Sequence, residues 1–155
     1  WPIDGEQICS IWQSLTNSTA ESSALQFVRG RRHQDLLYAQ KPFVDGDPAA
    51  QTDFSAGDLP EPPAFHKEPE RYEILSWDYR AGDAVLFNAR IMHSSGGNTS
   101  QDVNRIAYST RWIGDDAKFV AKPGWQDPLL LPDSDEPHED GQPLDSRKFP
   151  EAWSA

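Results

Sequence analysis

Strict alternation of residue types is the feature that most limits what this chain can fold into. Residues 7–15 read QICSIWQSL, which puts Ile8, Ser10, Trp12 and Ser14 on one face of an extended strand and Cys9, Ile11, Gln13 and Leu15 on the other. RIAYSTRW at 105–112 alternates in the same way, with Arg105, Ala107, Ser109 and Arg111 against Ile106, Tyr108, Thr110 and Trp112. A helix would scatter both sets around its circumference. Between these segments lie further short apolar runs: ALQFV (24–28), RYEILSWDY (71–79), AVLFN (84–88) and RIMH (90–93). They are separated by turn-forming stretches such as TNSTAESS (16–23), RAGD (80–83) and SSGGNTSQDVN (94–104). Many short strands with little helix predict a mostly β fold, a sandwich, jelly roll or barrel. The strand at 105–112 is expected beside the one ending at His93. The stretch HQDLLYAQKPF has room for a short helical turn before Pro42.

The 155 residues suffice for one domain with a core, and no apolar run is long enough to span a membrane. A net charge of -11 argues against nucleic acid and anionic membrane surfaces as partners, but leaves open a small anionic ligand received by a local arginine. Cys9 is the only cysteine, so no internal disulfide can form, which fits a reducing, cytoplasmic setting. The chain opens WPIDGEQICSIW, without an initiator Met or a signal pattern, and is expected to start inside a domain. Residues 44–69, rich in Asp, Gly, Pro and Ala, read either as a lid or binding loop or as a solvated connection. Residues 129–155 read as an acidic, Pro-rich C-terminal tail, and His66 and His138, set among prolines and acids, read as surface residues.

Two histidine patterns bear on chemistry. His33-Gln34-Asp35 spells a His-x-Asp pair, and His93 follows far downstream; such a pair with a distant histidine is one way to hold non-haem Fe(II). His93 ends a strand, a Gly- and Ser-bearing loop follows, and the next strand opens with Arg105. Two arginines between small residues make a poor core face. They suit the wall of a pocket for a carboxylate, which a guanidinium fork can bind with two hydrogen bonds. The alternative is that Arg105 and Arg111 point to water. Trp12, flanked by Ser10 and Ser14 on its face, fits either a pocket wall or ordinary core packing.

Several segments, in this order, resemble the phytanoyl-CoA dioxygenase family of Fe(II)- and 2-oxoglutarate-dependent oxygenases. WPIDGEQICSIWQSL is similar to the strand after the family's His-x-Asp motif. SSALQFVRGRRH resembles the stretch with Asn-Gly, an apolar strand and Gly-Ser-His. The long segment WDYRAGDAVLFNARIMHSSGGNTSQDVNRIAYSTRW resembles the Gly-Asp strand, the second iron histidine and the arginine strand, and is the most specific part. The resemblance covers residues 1–128, and implies the C-terminal part of a double-stranded β-helix (a cupin-like jelly roll). It also implies Fe(II) and 2-oxoglutarate, a small organic substrate, and hydroxylation coupled to decarboxylation of 2-oxoglutarate.

On this resemblance His93 matches the distal iron ligand and Arg105 the anchor of the far carboxylate of 2-oxoglutarate, with a loop between them slightly longer than the family's commonest. Ser95 and Trp12 match positions lining the co-substrate pocket. His33-Gln34-Asp35 falls after the turn GRRH rather than at the iron motif, which the resemblance puts a few residues before Trp1; the chain alone is then expected to be inactive. A reading with His33, Asp35 and His93 as the ligands, and a non-catalytic jelly-roll binding or scaffold domain, stand as alternatives. Helices from before the iron motif usually cover the face bearing Ile106, Tyr108 and Trp112. Without them, that face is expected to drive association, as in a homodimer.

Overall fold

The structure is a computed structural model that describes residues 3–32, 38, 60–121 and 136–154. In chain order its elements are β1 (Ile3–Asp4), β2 (Ile8–Ser14), β3 (Leu25–Arg32), a 3-10 turn (Phe65–Lys67), β4 (Ile74–Ser76), β5 (Ala84–Asn88), β6 (Ile91–Ser95), β7 (Ala107–Ile113) and β8 (Lys118–Phe119). The fold is mostly β, with no α-helix among the described residues. His33, Asp35, the expected helical turn and most of the loop 44–69 lie outside the described residues. The described residues fall into two compact units. One holds residues 8–32 and 63–112, and the other holds 3–7, 38, 60–62, 113–121 and 136–154.

The first unit is built from two three-stranded sheets, ordered β5-β2-β7 and β4-β3-β6. In β2 burial alternates along the whole strand: Ile8, Ser10, Trp12 and Ser14 are buried while Cys9, Ile11 and Gln13 are half-buried. Antiparallel register sets Ser10 opposite Phe87 and Trp12 opposite Val85, and opposed side chains share a face. In the other sheet Phe27 lies between Leu75 and His93, and Leu25 is opposite Ser95. The inner faces meet in one core of Trp12, Ala24, Leu25, Phe27, Tyr79 and Phe87, with Leu75, Val85, Ile91 and Ala107 packed against it. Burial of each large apolar side chain stabilises the fold by about 1.5–3 kcal/mol. Phe27 and Phe87 come from opposite sheets and meet edge to face at 5.1 Å.

Several expectations change in detail. The strands bearing His93 and Arg111 are not neighbours: β6 pairs with β3, whereas β7 lies beside β2 in the opposite sheet. The loop 96–104 crosses from one sheet to the other. The strand expected at 71–79 shrinks to Ile74–Ser76, because Tyr72 closes a turn onto the Glu68 carbonyl and Tyr79 pairs separately with Ser18. The third strand runs on past residue 28 to Arg32. Its register against β6 shifts between Phe27 and Arg32, where Gly30 takes φ 68°; glycine adopts that conformation freely, which suits a bulge.

In the second unit β1 pairs with β8. The Asp116 carboxylate accepts from the backbone N–H of Glu6 (2.7 Å) and Gln7 (3.0 Å), closing the bend after β1. Residues 136–154 pack here as well: Phe119 N–H donates to Gln142 O, Lys118 bridges to Pro143, and Leu144 is buried. The surface reading of His138 is corrected. Both its ring nitrogens are buried without a hydrogen-bond partner among the described residues, and its ring lies 6.0 Å from Phe119 and 5.7 Å from Phe149. The acidic, Pro-rich flanks concealed those aromatic neighbours.

Candidate active site

Arg105 stands just before β7, where Ile106 N–H donates to Thr16 Oγ1 and Ile106 O accepts from Leu15 N–H. These bonds fix the backbone on both sides of the arginine's entry into the strand. The guanidinium is then held on three sides. Its Nε donates to Ser23 O (3.1 Å), its Nη2 donates to Ser95 Oγ (3.3 Å), and its carbon lies 5.8 Å from the Trp12 ring centroid. That last distance is within the range of a cation over an aromatic face. Trp12 is fixed in turn by the core, meeting Tyr79 edge to face at 4.9 Å. Three residues singled out in the sequence, Arg105, Ser95 and Trp12, therefore meet, from β2, β6 and the start of β7.

The electrostatics of this cluster are one-sided. Arg105 is half-buried, yet among the described residues no carboxylate pairs with it. Arg29, by contrast, is matched by Glu73 at 2.9 and 3.1 Å. A partly desolvated cation held only by neutral groups favours an anion nearby. Its Nη1 has no hydrogen-bond partner among the described residues, so the fork keeps donors for a carboxylate.

His93 lies on the same face of β6 as Ser95, two residues away. Its ring is 4.8 Å from Phe87, which belongs to the opposite sheet, and 6.2 Å from Phe27. Its side chain is exposed at one edge, and Nδ1 is 2.8 Å from Ile91 O. A carbonyl oxygen only accepts, so Nδ1 carries a proton and is the donor, which leaves Nε2 as the nitrogen not engaged by Ile91. A histidine held this way through Nδ1 can ligate a metal through Nε2.

These residues fit Fe(II) only in part. No group of three or more His, Cys, Asp or Glu among the described residues could hold a metal ion. His93 offers one nitrogen, and the described residues do not complete an iron site. The arginine cluster, in contrast, fits a carboxylate.

Sequence reasoning missed Ser23. Its carbonyl holds the guanidinium, and its φ of 70° is the only positive value at a non-glycine among the described residues. No local pattern in TAESSAL signals a serine in that conformation.

Comparison with known proteins bears on the fold and the family. Among solved structures, the non-haem α-ketoglutarate-dependent carbocyclase SnoK from nogalamycin biosynthesis is similar at a TM-score of 0.61 and 23% identity, covering 97% of this chain and 51% of its own. The epimerase SnoN, in complex with Fe3+, α-ketoglutarate and nogalamycin RO, gives 0.63 and 22%, covering 97% and 52%. The non-haem monooxygenase ThoJ gives 0.53 and 20%, covering 96% and 45%. At these identities the likeness shows the fold. This chain spans about half the length of the structures it matches. No curated protein matches. The phytanoyl-CoA dioxygenase (PhyH) pattern matches residues 1–107, more than half of the chain, and the chain therefore belongs to the phytanoyl-CoA dioxygenase family of Fe(II)- and 2-oxoglutarate-dependent oxygenases.

Proposed function

We propose that this chain is the co-substrate-binding part of an Fe(II)- and 2-oxoglutarate-dependent dioxygenase that hydroxylates a small organic substrate, and that its two sheets are part of a double-stranded β-helix. The observation that carries the reading is Arg105: a half-buried guanidinium, held by neutral groups, with donors to spare and no carboxylate partner among the described residues. In this reading Arg105 receives the far carboxylate of 2-oxoglutarate. Ser95 orients the fork, and Trp12 forms an apolar floor that keeps water from the ion pair. His93 presents Nε2 as one iron ligand, and the others come from outside the described residues. The bound metal supplies the oxygen chemistry; the chain supplies position and charge. The proposed setting is cytoplasmic, with a small-molecule substrate and neither nucleic acid nor membrane as partner.

The test is succinate release in protein that carries the complete ligand set, with Fe(II) and ascorbate. Arg105→Ala is expected to raise the 2-oxoglutarate concentration needed for half-maximal rate, and His93→Ala to abolish release. If both variants match the parent, the chain is a jelly-roll binding or scaffold domain instead.

A further inference from the structure

We propose that Ser23 is a positioning residue for Arg105, acting through its left-handed backbone. Four observations converge on it. Ser23 is buried and has φ 70°, a conformation unfavourable for an L-residue other than glycine, which persists only where the surroundings impose it. Its carbonyl accepts from Arg105 Nε at 3.1 Å. Its hydroxyl donates to the carbonyl of Gly96, the residue after Ser95, and Ser95 Oγ accepts from Arg105 Nη2. Ser23, Gly96, Ser95 and Arg105 thus close a ring of contacts around the guanidinium.

The turn before Ser23 imposes the conformation. Ala24 N–H donates to Thr19 O (2.8 Å), Ser22 N–H donates to Thr19 O (3.1 Å), and Thr19 N–H donates to Ser22 Oγ (2.8 Å). The same turn is tied to the loop after β6, since Thr99 N–H donates to Glu21 O at 2.9 Å. In an ordinary right-handed or extended conformation the Ser23 peptide would rotate, and its carbonyl would leave Nε. The arginine would then keep one neutral partner instead of two and sample more rotamers. The left-handed residue therefore sets the direction of the fork before any ligand arrives, which lowers the ordering cost of binding.

This inference rests on the reading of Arg105 as a carboxylate anchor, and its test separates the two. Ser23→Gly and Ser23→Ala both remove the hydroxyl, and neither adds bulk; they differ in how readily they hold φ 70°. Exchange of the Arg105 Nε–H is read by NMR, with Phe27 and Trp12 backbone amides as the check on the fold. Ser23→Gly is expected to keep the Nε–H protected and 2-oxoglutarate affinity within about two-fold of the parent. Ser23→Ala is expected to speed Nε–H exchange about ten-fold and weaken affinity about five-fold, because alanine pays the same left-handed cost as serine without the hydroxyl's bond to Gly96 that offsets it. Equal Nε–H exchange in the two variants, or loss of protection in Ser23→Gly, would overturn the inference. If the exchange pattern is as expected while Arg105→Ala leaves 2-oxoglutarate binding unchanged, the anchor reading fails and the positioning role stands.

Discussion

Trp12 belongs to both the core and the candidate site, so its removal tests whether the two are one object. Its side chain is 6% exposed. It packs with Leu25, Phe27, Tyr79 and Phe87, and its ring meets Tyr79 at 4.9 Å. Trp12→Ala deletes the largest side chain of this cluster. Large aromatic truncations in packed cores cost about 3–5 kcal/mol, a figure that already includes the lost contacts and the cavity left behind. Domains of this kind have only about 5–15 kcal/mol in total, so the variant is expected to lose at least about a fifth of its stability. Trp12→Phe keeps a ring against Tyr79 and is expected to cost about 1–2 kcal/mol. It should also weaken the contact with Arg105, because phenyl attracts a cation less than indole does. Urea denaturation at fixed protein concentration, followed by far-ultraviolet circular dichroism, reads both variants. A loss below about 1.5 kcal/mol for Trp12→Ala would refute the reasoning, because a side chain so placed cannot be removed that cheaply from a close-packed core.

Two further outcomes follow. Burial pushes the Tyr79 phenol above its ordinary pKa, so the folded state favours the neutral form. That contribution is fully present below about pH 10 and is lost as pH rises through the raised folded value, so alkaline titration at 295 nm should show a late phase that Tyr79→Phe removes. Leu86, Ile106, Tyr108 and Trp112 are 66%, 53%, 59% and 44% exposed, so the purified chain is expected to self-associate. Light scattering should show a concentration-dependent mass that falls when Tyr108 and Trp112 are both replaced by Glu; a parent chain monomeric at all concentrations would contradict this.

The parts legible in the sequence are those governed by period-2 alternation. The buried face of β2 and the outward stripe of Ile106, Tyr108 and Trp112 follow from it, because one residue of slip would bury the wrong side chains. Strand ends were less legible. Tyr72 and Tyr79 read as strand residues, but one is held by a turn hydrogen bond and the other by an isolated bridge, and neither leaves a local mark. Arg105, Ser95 and Trp12 were legible as a group through their residue types and the family resemblance. Their mutual contacts depend on two sheets meeting across sequence separations of 10 residues and more, which no window reveals. Ser23 and His138 were hidden for the same reason: each is defined by long-range neighbours rather than by its own flanks.

The most direct measurement of the central claim is calorimetric titration of 2-oxoglutarate into the protein and its Arg105 variants. A charge-assisted hydrogen bond contributes about 1.5–3 kcal/mol, so Arg105→Ala should weaken binding by roughly 10- to 150-fold. Arg105→Lys should recover only part of it, because an ammonium lacks the planar fork. 2-Oxopentanoate, which keeps the keto-acid end but lacks the far carboxylate, should bind parent and Arg105→Ala more nearly alike. Equal affinity of the parent and Arg105→Ala for 2-oxoglutarate would contradict the account.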